Sequence, residues 1–345
     1  MKLAIHNSAR GFHPRWVAWC EANGIEVKRV DCHASDIIAQ LQGCDGLMWH
    51  HSQMGPADLL AAKGILQALE HTGFPVFPDW RTGWHFDDKL SQKYLFEALG
   101  MPFVPTWVFL DRKSALNWVE ETQFPKVFKL RGGAGSVNVR LVRSRAEARK
   151  LVRQAFGRGF PNYDAWGSLK ERWRKVRLGK AAPMEIAKGI ARFLYPPDFA
   201  RVLGRDHGYV YFQEFMEGLS CDYRTIVIGD KCLSIKRNTR DNDFRASGSG
   251  SLEYDRNIFE RSLIEASFQC CDRLEMQCAA MDFVISGGKP HLVEVSYGFP
   301  TGPFAQDCPG YWDRSLDWHV LECDPQGWMV EEFVKTIQAR IGHAA

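Results

Sequence analysis

The sequence predicts an α/β protein of two or three lobes that opens with a parallel sheet covered by helices. Three observations lead there. The first 85 residues alternate strand-like and helix-like stretches through short connections, the signature of strands joined by crossover helices. The chain is 345 residues long, enough for a substantial core and for more than one lobe. After about residue 207, short apolar strands with charged residues set among them dominate the remainder.

Each element has its own local reason. "KLAIHN", "EVKRVD", "CDGLMWHH" and "FPVFP" read as strands. Between them lie the helices "PRWVAWCEANG", closed by Gly24, "ASDIIAQLQG", with Ser35 as N-cap, and "GPADLLAAKGILQALEHTG". No GxGxxG follows the first strand, which excludes the dinucleotide-binding fingerprint. A helix then starts near Asp87, stops at Gly100 and Pro102, and leads into a strand. "SALNWVEET" is helical, and "FPKVFKLRGGAGSVNVRLV" is a strand, a glycine-rich turn and a second strand.

Residues 153–207 differ in character. Twelve Lys and Arg stand against five Asp and Glu, with Trp166, Trp173 and four prolines among them, so the segment reads as an inserted, largely helical and basic piece. "YVYFQEFM", "DYRTIVIGD", "KCLSIKRNT", "MDFVISGGK" and "PHLVEVSYG" follow as strands, with a helix over "RNIFERSLIEASFQCCDRLEM". The tail places Met329, Val330, Phe333, Val334 and Ile337 at helical spacing. The expected domains are 1–85, 86–212 (with the insertion) and 213–345.

Composition narrows the function classes. A hydrophobic fraction of 45% and a charged fraction of 25% are those of a globular protein, and a net charge of +3 is too small to suggest a nucleic-acid binder. The ten cysteines are scattered without a CxxC pair, which suits reduced thiols rather than a disulfide framework. No apolar run is long enough for a signal peptide or a membrane span, so a cytoplasmic location is the expectation.

Four features carry chemistry, and they come in a definite order. Lys129 precedes Gly132, Gly133, Gly135 and Ser136, a turn whose backbone N–H groups could meet a polyanion; the alternative is a plain glycine-rich hairpin. "YFQEFMEG" ends a strand at Glu214, Phe215 and Met216, where backbone groups and a carboxylate could meet an adenine edge or a ribose. Arg224, Lys236, Arg237 and Arg245 are cations in or beside half-buried strands, served either by an anionic ligand or by ion pairs with nearby aspartates such as Asp222. Asp282 and Glu294 lie on consecutive strands, where two carboxylates can share a face and hold Mg²⁺; the alternative is one surface acid and one ion-paired acid.

In this order the set resembles the ATP-grasp superfamily, nearest the ribosomal-protein glutamate ligases and glutathione synthetases. The stretches that carry the likeness are "DDKLSQKYLFEALGMPFVPT", "KVFKLRGGAGSVNV", "QEFMEGLSCDYRTIVIGDKCLSIKRNTRDNDFRAS" and "MDFVISGGKPHLVEVS". The resemblance implies two α+β lobes clamping ATP behind a Rossmann-like N-terminal domain. It implies that Lys89 and Lys129 contact phosphates, that Gly132 to Asn138 form the phosphate-covering loop, and that Glu214, Phe215 and Met216 hold adenine. Asp222 then falls at the ribose, and Arg237 and Arg245 at the transferred phosphate, with Arg224 and Lys236 in the same basic set. Asp282 and Glu294 match two magnesium ligands, and Ser296 stands where the family usually has a third, an asparagine. The cofactors implied are ATP and Mg²⁺, with Mn²⁺ as a substitute.

The implied activity is a carboxylate–amine ligation through an acyl phosphate, on small-molecule or peptide substrates, by a protein that is commonly a homodimer in the family. The basic insertion would face an acidic or bulky acceptor. His50, His51 and Ser52, at the carboxyl end of the third strand, are candidate substrate contacts, as is Ser247; a turn histidine without a ligand is the alternative. Two rivals stand beside the ligase: a phosphotransferase on the same fold, and a non-catalytic nucleotide-binding protein that docks an acidic partner through the insertion.

Overall fold

The computed structural model describes residues 1–132, 138–177, 179, 181–239, 251–302 and 307–344. Five predicted site residues, Gly133, Gly135, Ser136, Arg245 and Ser247, lie outside the described residues. The chain divides into two compact units. One comprises residues 1–52, 60–104 and 216–345, the other 53–59 and 105–215.

The first unit begins with β1 (Lys2–His6), α1 (His13–Ala22), β2 (Glu26–Val30), α2 (Ile37–Gln40), β3 (Gly46–Met48), α3 (Pro56–His71), β4 (Val76–Phe77) and α4 (Trp80–Gly83). The four strands form an all-parallel sheet in the order β2-β1-β3-β4, as the strand–helix alternation requires. The predicted helix over residues 34–43 shrinks to the four residues of α2. Its N-cap position is Asp36, which makes no side-chain cap bond, so Ser35 is not the cap. Only Ile37 and, just beyond the helix, Leu41 are buried there, so packing holds little more than one turn.

α5 (Lys89–Ala98) follows, with the Asp88 carboxylate accepting the Ser91 N–H at 3.1 Å as its N-cap. Gly100, at φ +58°, ends it in the left-handed conformation that glycine adopts without strain.

The second unit holds β5 (Thr106–Phe109), α6 (Arg112–Glu121), β6 (Lys126–Lys129), β7 (Val139–Val142), α7 (Arg145–Ala155), β8 (Phe160–Pro161), α8 (Ala165–Arg177), α9 (Met184–Ala191), α10 (Asp198–Leu203), β9 (Arg205–Asp206) and β10 (Val210–Glu214). Its sheet runs β5-β10-β6-β7, every pair antiparallel. The sequence reading passed over α7, although "SRAE" signals its start. Ser144 accepts the Glu147 N–H, and the Glu147 carboxylate reaches back to the Arg143 N–H at 2.7 Å. The basic segment 153–207 is largely helical, as expected, with α8, α9 and α10 inside it.

The chain then returns to the first unit with β11 (Cys221–Ile228), β12 (Lys231–Asn238), β13 (Leu252–Glu253), α11 (Arg261–Leu274), β14 (Ala279–Ser286), β15 (Lys289–Ser296), β16 (Gly310–Trp312), β17 (Trp318–Val320) and α12 (Pro325–Ala344). The path β15-β14-β11-β12-β16-β17, with β13 beside β12, makes a seven-stranded sheet. One core joins it to the parallel sheet, from Trp16 and Phe77 through Phe283 and Tyr297 to Phe333. α11 covers one face of the sheet. That leaves the other face for the charged residues of β11, β12, β14 and β15.

The β14–β15 hairpin decides which residues share that face. Gly287 and Gly288 have φ of +57° and +71°, the two positive values that a tight two-residue hairpin turn demands. From that turn the ladder runs regularly to Phe283 opposite Leu292, then skips one residue, so that Asp282 faces Glu294. An unbroken ladder would have set Val293 against Asp282 and turned Glu294 to the other face. The bulge, an extra residue on β15, brings the two carboxylates together.

Candidate active site

On this face four charged side chains form a connected lattice, and a separate ion pair stands at the sheet edge. Asp282 on β14 takes both oxygens to Arg224 on β11, at 2.7 and 2.8 Å. It also lies 2.9 Å from Arg237 on β12. Arg237 in turn grips Asp222 through two bonds of 2.6 and 2.7 Å. At the sheet edge Glu294 meets the ammonium of Lys89, the first residue of α5, at 3.1 Å. Three cations and three anions therefore balance.

The charge states follow from the pairing. Burial would raise Asp282, but Arg224 and Arg237 together hold its carboxyl well below the usual carboxylate range. Burial raises Asp222, with the nearby Asp282 carboxylate adding to it against the pull of Arg237. Burial works against the Lys89 ammonium, yet Glu294, Asp87 and Asp282 outweigh it and raise its pKa. Bidentate arginine–carboxylate pairs of this kind are planar and directional, and a phosphate can take the same arginine edges.

Lys236 does not join the lattice. It neighbours Arg237 in sequence, so strand alternation sends it to the opposite face, where it pairs with Glu253 at 3.2 Å. Ser296 lies two residues after Glu294, but its hydroxyl donates to the Gly298 carbonyl at 2.8 Å and accepts the Gly298 N–H at 3.0 Å. Asp282 and Glu294 are hard oxygen donors at directly paired positions, which fits a hard divalent cation that completes its shell with phosphate and water. Among the described residues no group of three or more His, Cys, Asp or Glu stands together as a metal site.

Sequence reasoning missed Gln92, one turn after Lys89 on the same side of α5. Its side-chain amide donates to the Val295 carbonyl at 2.7 Å and accepts the Val295 N–H at 3.3 Å. It thereby acts as a one-residue partner for the edge strand that carries Glu294. Gln92→Leu leaves both buried backbone groups unpaired and is expected to cost about 2–3 kcal/mol, read as a lower urea midpoint.

In the second unit Lys129 is buried on β6, with its ammonium 2.6 Å from the Gln213 side-chain oxygen. Gly132, where the glycine-rich turn begins, lies just beyond this strand. Glu214 ends β10, and Phe215 and Met216 follow it, all partly exposed. The Glu214 carboxylate holds Lys126 at 2.9 and 3.0 Å. Because Glu214 follows Gln213, this pair projects from the face opposite Lys129. A ligand on the Lys129 face would therefore meet the 214–216 segment through its backbone. In the insertion, Arg172 is already committed to an ion pair with Glu185.

The turn after β3 is packed rather than open. The His50 ring stacks on Phe12 at 3.7 Å between centroids, and its Nδ1 accepts the Phe12 N–H at 3.0 Å. That bond leaves the proton of the neutral ring on Nε2. The His51 carbonyl accepts the Tyr297 hydroxyl at 2.5 Å, and Ser52 is half-buried beside it in sequence.

Burial, aided by His13 and His51, pushes His50 down to about 3, and burial pushes His85 down to about 4. Both histidines are more basic in the unfolded chain, so their contribution to stability is complete above about pH 6.5 and is lost as the pH falls toward those values. At pH 5 each is expected to cost roughly 2 kcal/mol. Urea titrations at pH 7.5 and 5.0 test this, and His50→Asn, whose amide oxygen can still accept from Phe12, should reduce the difference by about half.

Among the described residues no helix is long and apolar enough to cross a membrane. No family model and no curated protein matches the chain. Solved structures do. D-alanine–D-alanine ligase from Bacillus anthracis aligns over 100% of both chains at 13% identity and a TM-score of 0.56. An ATP-grasp RimK domain protein from Sphaerobacter thermophilus aligns over 97% of this chain and 100% of its own, at 15% identity and 0.55. D-cycloserine synthetase DcsG aligns over 98% and 100%, at 14% identity and 0.59. With this likeness running over the whole chain, the chain has the ATP-grasp fold.

Proposed function

We propose that the protein is an ATP-dependent ligase that joins a carboxylate to an amine through an acyl phosphate, releasing ADP and phosphate. The observation that carries this reading is the charge-balanced set of Asp222, Arg224, Arg237, Asp282 and Glu294 on one sheet face, with Lys89 of α5 paired to Glu294 at its edge. Each member has a charged partner that a nucleotide could replace: phosphate oxygens for the arginines and Lys89, a cation for the carboxylates. An inert lattice would need none of these exchanges, but it would gain little stability from burying six charges.

In this reading Arg237 and Arg224 orient the transferred phosphoryl group and the acyl phosphate, and Lys89 meets phosphate oxygens when released from Glu294. Asp282 and Glu294 would hold magnesium, which when bound neutralises phosphate charge and fixes its geometry. In the other unit Lys129 binds phosphate on its own sheet face, and the backbone of Glu214, Phe215 and Met216 takes the adenine edge. Ser296 completes the carboxylate pair through a bound water rather than directly, since its hydroxyl is turned to Gly298. The basic insertion serves the acceptor.

A screen tests the proposal: pooled carboxylic acids and pooled amines are offered with ATP and Mg²⁺, and phosphate release is followed before product mass. Phosphate released only when an acid and an amine are both present, with an amide as product, is the expected result. A phosphorylated product that accumulates without an amine would favour the phosphotransferase instead.

A further inference from the structure

The second unit contains a cavity of about 420 Å³ on the sheet face opposite Lys129. Strand alternation fixes that placement: Phe128 precedes Lys129 and pairs in register with Arg140, so both point away from the lysine. The floor is Phe128 and Phe160, 5.2 Å apart between ring centroids, and the insertion supplies a wall of Trp166 and Phe193, in edge contact at 4.9 Å. Trp166 is 66% exposed and Phe193 40%, a large aromatic area left to solvent.

Three arginines rim this apolar hollow: Arg140, Arg192 and Arg205. None of them pairs with a carboxylate among the described residues. Arg205 is held instead by backbone carbonyls, those of Arg158 at 2.6 Å and Gly159 at 3.0 Å, which fix the guanidinium without neutralising it. Arg140 lies 5.8 Å over the Phe160 ring, a contact that uses the face of the guanidinium and leaves its N–H edge to a ligand. The one acid at the rim, Asp164, accepts the Gly167 N–H at 2.9 Å near the start of α8. Its single charge does not balance three cations.

An aromatic hollow of small-molecule size with unneutralised guanidinium groups at its mouth, one of them held by backbone carbonyls, calls for an aryl ring that carries an anion. We infer that this cavity is a binding site for a small aromatic carboxylate, which inserts its ring against Phe128, Phe160 and Trp166 and gives its carboxylate to Arg140 and Arg192. The site does not rest on the ligase reading, because it sits on the far face of its sheet from Lys129; of the residues assigned to ATP it shares only Asn138, the last of the phosphate-covering loop.

Calorimetric titration of the full chain with 2-naphthoate, and with 2-naphthamide as a neutral match in shape, tests the inference. The acid is expected to bind with a dissociation constant of about 1 mM or below, and the amide at least tenfold more weakly. Arg140→Gln and Arg192→Gln change exposed side chains, so the fold is kept, and each should weaken the acid severalfold while leaving the amide unchanged. Trp166→Phe should weaken acid and amide alike. No binding of the acid at several millimolar, equal binding of acid and amide, or unchanged affinity in both arginine variants would overturn the assignment.

Discussion

Asp282→Asn is expected to destabilise the first unit by about 3–5 kcal/mol, because it leaves one buried and one half-buried guanidinium group with one carboxylate between them. Asparagine keeps the shape but loses the charge that Arg224 and Arg237 share. Both oxygens of Asp282 face Arg224 and one of them also meets Arg237, so whichever way the amide is turned its nitrogen points donor to donor at Arg224. The effect should depend on pH in a definite sense. A carboxyl held below its ordinary range contributes stability that is complete above the unfolded value, near pH 4, and is lost as acid protonates it. The gap between wild type and variant, measured by urea unfolding, should therefore be widest at neutral pH and close below about pH 4. Arg224→Met in the same chain should recover part of the loss, since it removes the cation left over. A gap that stayed constant with pH would mean that Asp282 acts through shape rather than charge.

Glu294→Gln is expected to reduce ATP turnover by at least about a hundredfold while the chain stays folded. Glutamine preserves the reach to Lys89, so the buried ammonium keeps an acceptor and the stability cost stays near 1–3 kcal/mol. Glu294→Ala is the poorer experiment. It would take from a lysine that is only 5% exposed the carboxylate it meets at 3.1 Å, and lost turnover would then be confused with a disturbed α5. Turnover that survives Glu294→Gln would remove this residue from the metal site.

Much of this was legible in the sequence, and the failures have physical causes. The four parallel strands followed from periodicity and from turn residues, and the largely helical character of residues 153–207 from their composition. The meeting of Asp282 and Glu294 could not be derived that way. Counting back from the two glycines puts Val293 opposite Asp282, and only the bulge, which no residue type announces here, restores the pair. Lys236 is the opposite case. Grouping it with Arg237 ignored strand alternation, which the sequence alone supplies. The same rule separates Glu214 from the Gln213–Lys129 pair. Gln92 was missed because its role is to satisfy an edge strand, and edges become visible only once strand order is known. His50 read as a candidate substrate contact or a turn histidine without a ligand, and neither reading foresaw that its ring is an acceptor for Phe12 across 38 positions of sequence.

The most direct measurement follows oxygen rather than rate. With an acid and amine pair from the screen, the acid carboxylate is labelled with ¹⁸O and the released phosphate is analysed by mass. Activation through an acyl phosphate transfers one labelled oxygen from the carboxylate to phosphate as the amide forms, and that transfer is the predicted result. Amide formed with unlabelled phosphate, or label retained in a stable phosphorylated acid, would contradict it.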